Sequence, residues 1–534
     1  MIFGKKFLLR AAFAAVAVST VFLASCGKGS VKAVPLEELG FNETGMPIVN
    51  GPVELTVLTM RWGDMGDSFA KNQWLVDLEK KSNVRINWQV VSSSDWGEQK
   101  AILMASGKLP DIILGNMTFN DSDILGNIEY FLPLEDLIEQ YMPNYKKAME
   151  LVPALRRIST FPDGNIYSFA KNLPVRPKTR NHPIINKQWL DRLGLNVPDN
   201  ISELTEVLRA FKNYDANGNG NANDEYPLSF DQTIHLDLLN SFGITDINET
   251  MMTVGNAGPF FYAASPQYKA ACQWLGQLWA DGLIDAESFT QDITMLNGKR
   301  QNATAPLVGM AFAWTHDAEF GKWSNQYIAI PPIAGPDGSR YAGGDPDGVF
   351  SIMRNEALIT SFCSYPEVAA RWLDEFYTSE ASIQNFLGAI GTVITKNDDG
   401  TFSLNDPPEG VSADAWYWEQ SLRDFGPKFI EPGFDSRIIL STSSGDGLKM
   451  ETSRIADPYV MEPFPNVIFT QEENEELAIM QTDIASYVSQ MQAKWVTQGG
   501  IEDEWNGYLK RLDDMGLARY VEIKLAAYNR FKAQ

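Results

Sequence analysis

The chain has few of the residues that hold metals and haem. Its 534 residues include 3 His and 3 Cys, which leaves zinc and haem chemistry short of ligands before any spacing is considered. Positive charge is scarce too. Lys and Arg number 44 against 68 Asp and Glu, a net charge of −24, and that sign repels phosphate backbones and anionic headgroups alike. Nucleic-acid binding by a basic face is excluded. No G-x-S-x-G elbow, H-E-x-x-H, Walker loop or G-x-G-x-x-G after a strand occurs, so the common marks of hydrolases, zinc proteases and nucleotide binders are missing. No stretch past the amino terminus is apolar for the roughly 20 residues of a membrane span. What is present, with 44% hydrophobic and 11% aromatic content, is an acidic globular chain with ample core and a length that suits roughly three to four domains or two large lobes.

The first 25 residues differ from the rest. Lys5, Lys6 and Arg10 precede an apolar run from Ala11 to Ala24, and no acid appears before Glu37. A basic start followed by a short apolar run is an export signal. It ends in Leu23-Ala24-Ser25-Cys26, which resembles the bacterial lipobox. That resemblance implies cleavage before Cys26 and a diacylglycerol on its thiol, whose acyl chains (palmitate, for example) anchor the protein on the extracytoplasmic side of the cell membrane. Residues 26–51, rich in Gly, Pro and charge, read as a lipidated tether. Cys272 and Cys363 remain, and their spacing leaves open whether they pair.

Past the tether, Val53 to Met60 and Val84 to Val91 alternate as strands do, and Pro110 to Gly115 is a short apolar run ending in Gly. Helical stretches fall between them, around Asn72 to Ser82 and from near Asp95 to Gly107. This alternation predicts an α/β protein with parallel strands and helices on both faces. Ligands on such sheets collect at the carboxyl ends of strands, where Trp62 and Asn116 stand. Near the other end, Thr470-Gln471-Glu472-Glu473 makes a capping box. Behind it Leu477, Met480, Ile484, Tyr487, Val488, Met491 and Trp495 form one apolar stripe. Two further helices follow, split at Gly516.

Residues 215–227 read DANGNGNANDEYP. Oxygen-bearing side chains alternate through Asp215, Asn217, Asn219 and Asn221, with Gly220 at the sixth place where a calcium loop must turn. Asp224 and Glu225 can supply the carboxylates that complete the shell. The expected cofactor is a structural Ca2+ held by Asp215, Asn217, Asn219, Asn221, Asp224 and Glu225. The twelfth position is Tyr226 where the usual hand has Glu, so the standard two-helix motif is not completed.

Several segments together resemble the LipO-like extracellular solute-binding proteins, lipid-anchored family 1 receptors of bacterial ABC importers. They are Phe41 to Val49, Ser94 to Lys100, Ala105 to Asp111, Phe161 to Tyr167, Asn186 to Gly194, Ile479 to Ile484 and Met515 to Tyr520. The calcium-like loop is also a feature of that family, best known from its alginate-binding relatives. The resemblance implies a two-lobed, periplasmic-binding-protein-like (type 2) clamp with a helical carboxyl-terminal region. It implies a monomer that closes on a small solute, performs no reaction, and delivers its load to membrane permease subunits. On this basis residues 52–160 plus about 300–345 are expected to form one lobe, residues 161–299 plus about 346–470 the other, and 471–534 a helical segment packed on both.

Sugars offer apolar C–H faces to aromatic rings and hydroxyls to Asp, Asn and Arg. The resemblance implies an oligosaccharide as the solute, because relatives with known ligands mostly bind oligosaccharides, with a peptide, a sensory role or a secreted carbohydrate-active enzyme as alternatives. The candidate contacts are Trp62 with Arg61 and Asp64, then Trp314 with Asp317, then Trp416 and Trp418, then Trp96 and Asn116. Arg61, Arg176, Lys178 and Arg180 could form a basic patch for an acidic ligand, although a solvated loop explains the last three equally well. His182, His235 and His316 are too scattered for a metal site and read as surface or capping residues.

Overall fold

The computed structural model describes residues 35–533 apart from 63–65, 232–235, 410, 412 and 441–444. The leader, Cys26, the tether as far as residue 34, Asp64 and His235 lie outside the described residues. Two mixed sheets dominate the rest. The five-stranded sheet runs in the order Val84–Ser92, Val53–Arg61, Ile112–Leu114, Ile352–Ile359, Phe169–Asn172. Its first three strands are parallel, and Ile352–Ile359 runs antiparallel to both of its neighbours. Alternation places Leu55 and Val57 in the core on one face, with Leu58 and Met60 in the core on the other. The helices expected between the strands form as Gln73–Ser82, with the Asn72 side chain accepting from Trp74 N at 3.0 Å, and as Trp96–Ser106.

The four-stranded sheet runs Tyr327–Ala329, His182–Asn186, Val308–Ala313, Tyr226–Leu228. Here the lobe boundaries depart from expectation. Val308–Ala313, expected in the first lobe, pairs with His182–Asn186 and Tyr226–Leu228 in the second. Ile352–Ile359, expected in the second, fills a gap in the first between Ile112–Leu114 and Phe169–Asn172. Val308–Ala313 is an apolar run that suits any sheet interior, while Ile352–Ile359 carries Arg354, Asn355 and Glu356 between apolar ends; in both, the backbone partners decide which sheet they join. Phe169–Asn172 also stays in the first sheet, which moves the first lobe crossing to residues 173–181.

The chain passes between the lobes three times, and the crossings are zipped together. Thr179 bridges Gly344, Ala342 and Gly343 pair with Val460 and Met461, and Asp345 N donates to Lys178 O at 2.8 Å. Gly344 is required there because an added Cβ would lie 2.3 Å from Lys178 O. His182 is buried at this hinge, not on the surface. Its ring meets Lys449 Nζ at 2.8 Å and Ser453 Oγ at 3.2 Å, and burial, then Lys449, holds its pKa well below the usual value.

The three last helices, Gln471–Gln498, Ile501–Asp514 and Leu517–Ala533, are not a separate layer on both lobes. Leu477, Ile484, Trp495, Tyr508, Leu512 and Tyr520 are integral to the second lobe's core. The Thr470–Glu473 capping box starts the first of them. Contacts with the first lobe are few, among them Ser122 Oγ on Asn474 Oδ1 at 2.6 Å and Arg157 over the Phe531 ring at 5.3 Å. Cys272 and Cys363 are free thiols buried in different cores. Among the described residues no helix is long and apolar enough to cross a membrane.

Candidate functional site

In the first sheet the carboxyl ends of Val53–Arg61 and Ile112–Leu114 lead to Trp62 and Asn116; in the second, those of Tyr226–Leu228 and Val308–Ala313 lead to Asp231 and Trp314. Trp62 is 41% exposed, with Phe425 at 6.3 Å. Phe425 packs against Gly115, where a Cβ would stand 2.4 Å from its ring and the backbone has a φ of +99°. Trp314 is half-buried and carries two cations on its ring, Lys449 Nζ at 4.4 Å and Arg176 Cζ at 5.2 Å.

An ionic cluster at the hinge end of the first sheet lies alongside these groups. Arg176 reaches Asp424 at 3.7 Å and Asp446 at 3.9 Å, and Arg423 Nη2 meets Asp446 at 2.7 Å. Lys171 and Glu356 pair at 2.8 Å in the interior. Burial alone would raise the pKa of Asp424, but Arg176, Lys171, Arg423 and Lys428 outweigh it and hold the carboxyl at about 2. Burial pushes Lys428 the other way, to about 7, with Glu356 opposing. Its ammonium donates to Phe425 O and Gly426 O. These charges fix the loop that carries Phe425 and Asp424.

Two recesses flank this region. One of about 540 Å³ is lined by Asn116 and Asp121 from the first lobe, Asn248 from the second, and Arg180 and Phe350 from the first and second crossings. Its Asp121 is held by Arg354 Nε and Asn355 Nδ2, each at 2.8 Å. The other, about 170 Å³, opens beside Trp314.

Of the remaining sequence candidates, three are packed in the interior. Arg61 is fully buried, its Nη1 donating to Ser421 O at 2.7 Å and Nη2 to Trp418 O. Burial lowers its pKa to about 10. Trp96 is buried with Nε1 on Thr118 O at 3.0 Å, and Trp418 packs 6.0 Å from Phe425. Trp416 is half-buried beside Tyr417. Asp317 Oδ2 accepts from Gly445 N at 3.2 Å, which joins the second lobe to the third crossing. Of the basic-patch candidates, Arg176 and Arg180 each lie 5.8 Å from the Phe350 ring, with Arg176 facing Asp424 and Asp446 and Arg180 facing Glu249 at 3.8 Å. Sequence reasoning did not single out Asp424, which belongs to no motif.

The 215–225 loop folds around Asp215, whose carboxylate accepts from Gly218 N, Asn219 N and Gly220 N at 2.8–3.0 Å. Asn217 and Asn219 turn their amides onto Asp224 at 3.0 and 2.7 Å. Glu225 is buried with Oε2 unpartnered. Burial, then repulsion from Asp224 and Asp215, raises its pKa. Three mutually repelling carboxylates and an orphaned buried oxygen fit a hard cation. Among the described residues no group of three or more His, Cys, Asp or Glu is placed to hold a metal as it stands; here amide oxygens would have to complete the shell.

A family model described as bacterial extracellular solute-binding protein matches residues 63–382. The fructooligosaccharide ABC transporter substrate-binding protein FusA of Streptococcus pneumoniae is 33% identical over 479 residues, covering 85% of this chain and 86% of the relative. The lipoprotein LipO of Bacillus subtilis is 25% identical over 232 residues, 42% of this chain and 44% of its own. Among solved structures, FusA in complex with kestose superposes with a TM-score of 0.79 at 29% identity, covering 90% of this chain and 99% of that one. A further FusA structure is of an EF-hand mutant. A solute-binding protein from Bifidobacterium longum infantis described as binding HMO also gives 0.79, at 28% identity over 90% of this chain and 99% of its own.

Proposed function

The chain belongs to the bacterial extracellular solute-binding proteins, and from that premise we propose that it captures an oligosaccharide between its lobes and hands it, unaltered, to the permease subunits of an ABC importer. The observation that carries this reading is the meeting of strand ends. Both sheets present carboxyl ends near one three-stranded hinge, with half-exposed Trp62 on one lobe and Trp314 on the other. Aromatic faces with Asn and Asp around them suit sugar rings, and similarity to proteins named for fructooligosaccharide and kestose supports a glycan over a peptide.

In this reading Trp62, Asn116, Trp314, Asp317 and Trp416 touch ligand, while Arg61, Trp96 and Trp418 hold the wall behind them. Closure is a hinge motion about the three crossings, and the closed form is what the permease meets. Cys26 carries the lipid that keeps the monomer at the outer face of the membrane. Asp215, Asn217, Asn219, Asn221, Asp224 and Glu225 hold a structural Ca2+; the FusA EF-hand mutant supports such a site in a relative. Calorimetric titration of the leaderless protein with linear fructans, β-glucans and milk oligosaccharides tests the function. Tight binding of one class, with the sugar recovered intact, is expected. Turnover of the sugar, or failure of every glycan while a peptide binds, would sink the reading.

A further inference from the structure

Residues 35–51, expected in the tether, are folded onto the first lobe as a strap. Leu36–Leu39 makes one helical turn, and Phe41 pairs antiparallel with Val49. Ile48 and Val49 are fully buried in the first lobe's core, and their N–H groups donate to Ser82 O at 3.0 and 3.3 Å. Arg371 pins the bend between them: it is 5% exposed, with Nη1 donating to Asn42 O at 2.5 Å and Nη2 to Gly45 O at 2.8 Å. A strap held by a core and a buried guanidinium is part of the lobe and adds nothing to the reach of the tether.

The strap also marks a pole. Val53 N donates to Asn83 O at 3.1 Å, so the chain enters at the amino ends of Val53–Arg61 and Val84–Ser92, and Trp62 follows the opposite end of the former. The nine residues of Val53–Arg61 set the two ends roughly 30 Å apart, at about 3.3 Å per residue. The second lobe lies past the far end, where Asn474 meets Ser122 of the helix Asp121–Leu125. On the other side of the strap, nine peptide links join Cys26 to Pro35. At about 3.3–3.6 Å each they reach at most about 30 Å, against a breadth of roughly 60 Å for a compact chain of this size.

Resting on the reading of Cys26 as the lipidated residue, we propose that strap and short leash hold the strap pole of the first lobe within about 30 Å of the lipid surface, with the cleft and the second lobe beyond it. The first lobe is thereby the membrane-proximal half, and the anchored receptor pivots about that pole.

The test places the lipidated protein, matured from its own leader, on phosphatidylcholine vesicles carrying a trace of headgroup-labelled acceptor lipid. A donor dye goes on Lys81→Cys, exposed at the strap pole, or on Ile479→Cys, 77% exposed on the second lobe. Cys272 and Cys363 are buried and stay unlabelled. Energy transfer from position 81 is expected to exceed that from position 479 about twofold or more. Inserting about twenty Gly and Ser residues after Lys32 is expected to erase the difference. Arg371→Ala, which frees the bend and lengthens the leash, is expected to lower transfer from position 81. Equal transfer from both positions in the parent, or a parental difference after the insertion, overturns the short leash and leaves the lipid anchor standing. A mature chain whose mass shows no diacylglycerol on Cys26, and which does not bind the vesicles, sinks the anchor reading and this inference together.

Discussion

Arg61 and Trp62 are adjacent in sequence and opposite in fate. The guanidinium of Arg61 satisfies two backbone carbonyls in the interior, at Ser421 and Trp418. Arg61→Ala strands both acceptors, and urea denaturation is expected to show a loss of about 2–4 kcal/mol. Trp62, 41% exposed, has little to lose on truncation. Trp62→Ala is expected to leave the melting temperature unchanged and to weaken glycan binding about tenfold in calorimetry, the scale of one lost aromatic contact. Sequence named both residues but could not separate them. Trp96, at a helix start, and Trp418, after a loop, are aromatic candidates like Trp62, yet both are buried. Position after a strand tells where a residue stands, not which way its side chain turns.

Single carboxylates also control whole elements. The helix Pro143–Leu151 has its first free N–H groups taken by Asp374, which accepts from Tyr145 N at 2.9 Å and Asn144 N at 3.2 Å. Burial outweighs those donors and raises the Asp374 pKa from 3.8 to about 6. The fold therefore favours its protonated form, so this contribution is fully present below pH 3.8 and is lost as pH rises toward 6. Asp374→Asn is expected to flatten the stability profile across that window, by at most about 3 kcal/mol in urea melts run at successive pH values. The 215–225 loop obeys a different control. Chelation is expected to lower the melting temperature of the parent and to leave Asp215→Ala, already lowered, unaffected. A cation at a hundredfold excess over its Kd contributes about 2.7 kcal/mol. That loop, the capping box and the first strands were legible because each follows a local rule of spacing. The sheet membership of Val308–Ala313 and Ile352–Ile359 was not, because neither an apolar run nor a strand with a charged middle names its partner strand.

At the scale of the molecule, the hinge is a small parallel and antiparallel braid that joins two independent cores. Small-angle scattering is expected to show compaction on adding the tight-binding glycan, and an unchanged profile would argue against closure. Gly344→Ala places a Cβ 2.3 Å from Lys178 O, a backbone atom that cannot swing aside. This variant is expected to keep both cores, read as near-parental circular dichroism, while losing affinity, because the lobes no longer meet in register. The two-lobed class was legible from the strand and helix alternation and the family resemblance, whereas the route between lobes needed the strand pairings. Those pairings also bear on how the chain is made. The centre of the first sheet waits for Ile352–Ile359, and the second lobe's core waits for helices ending at Ala533. With partners so far apart along the polymer, folding is slow. A nascent polypeptide emerging amino end first cannot close its first sheet until Ile359 has been made, nor the core of its second lobe until the last helix follows, so neither half is complete early in synthesis.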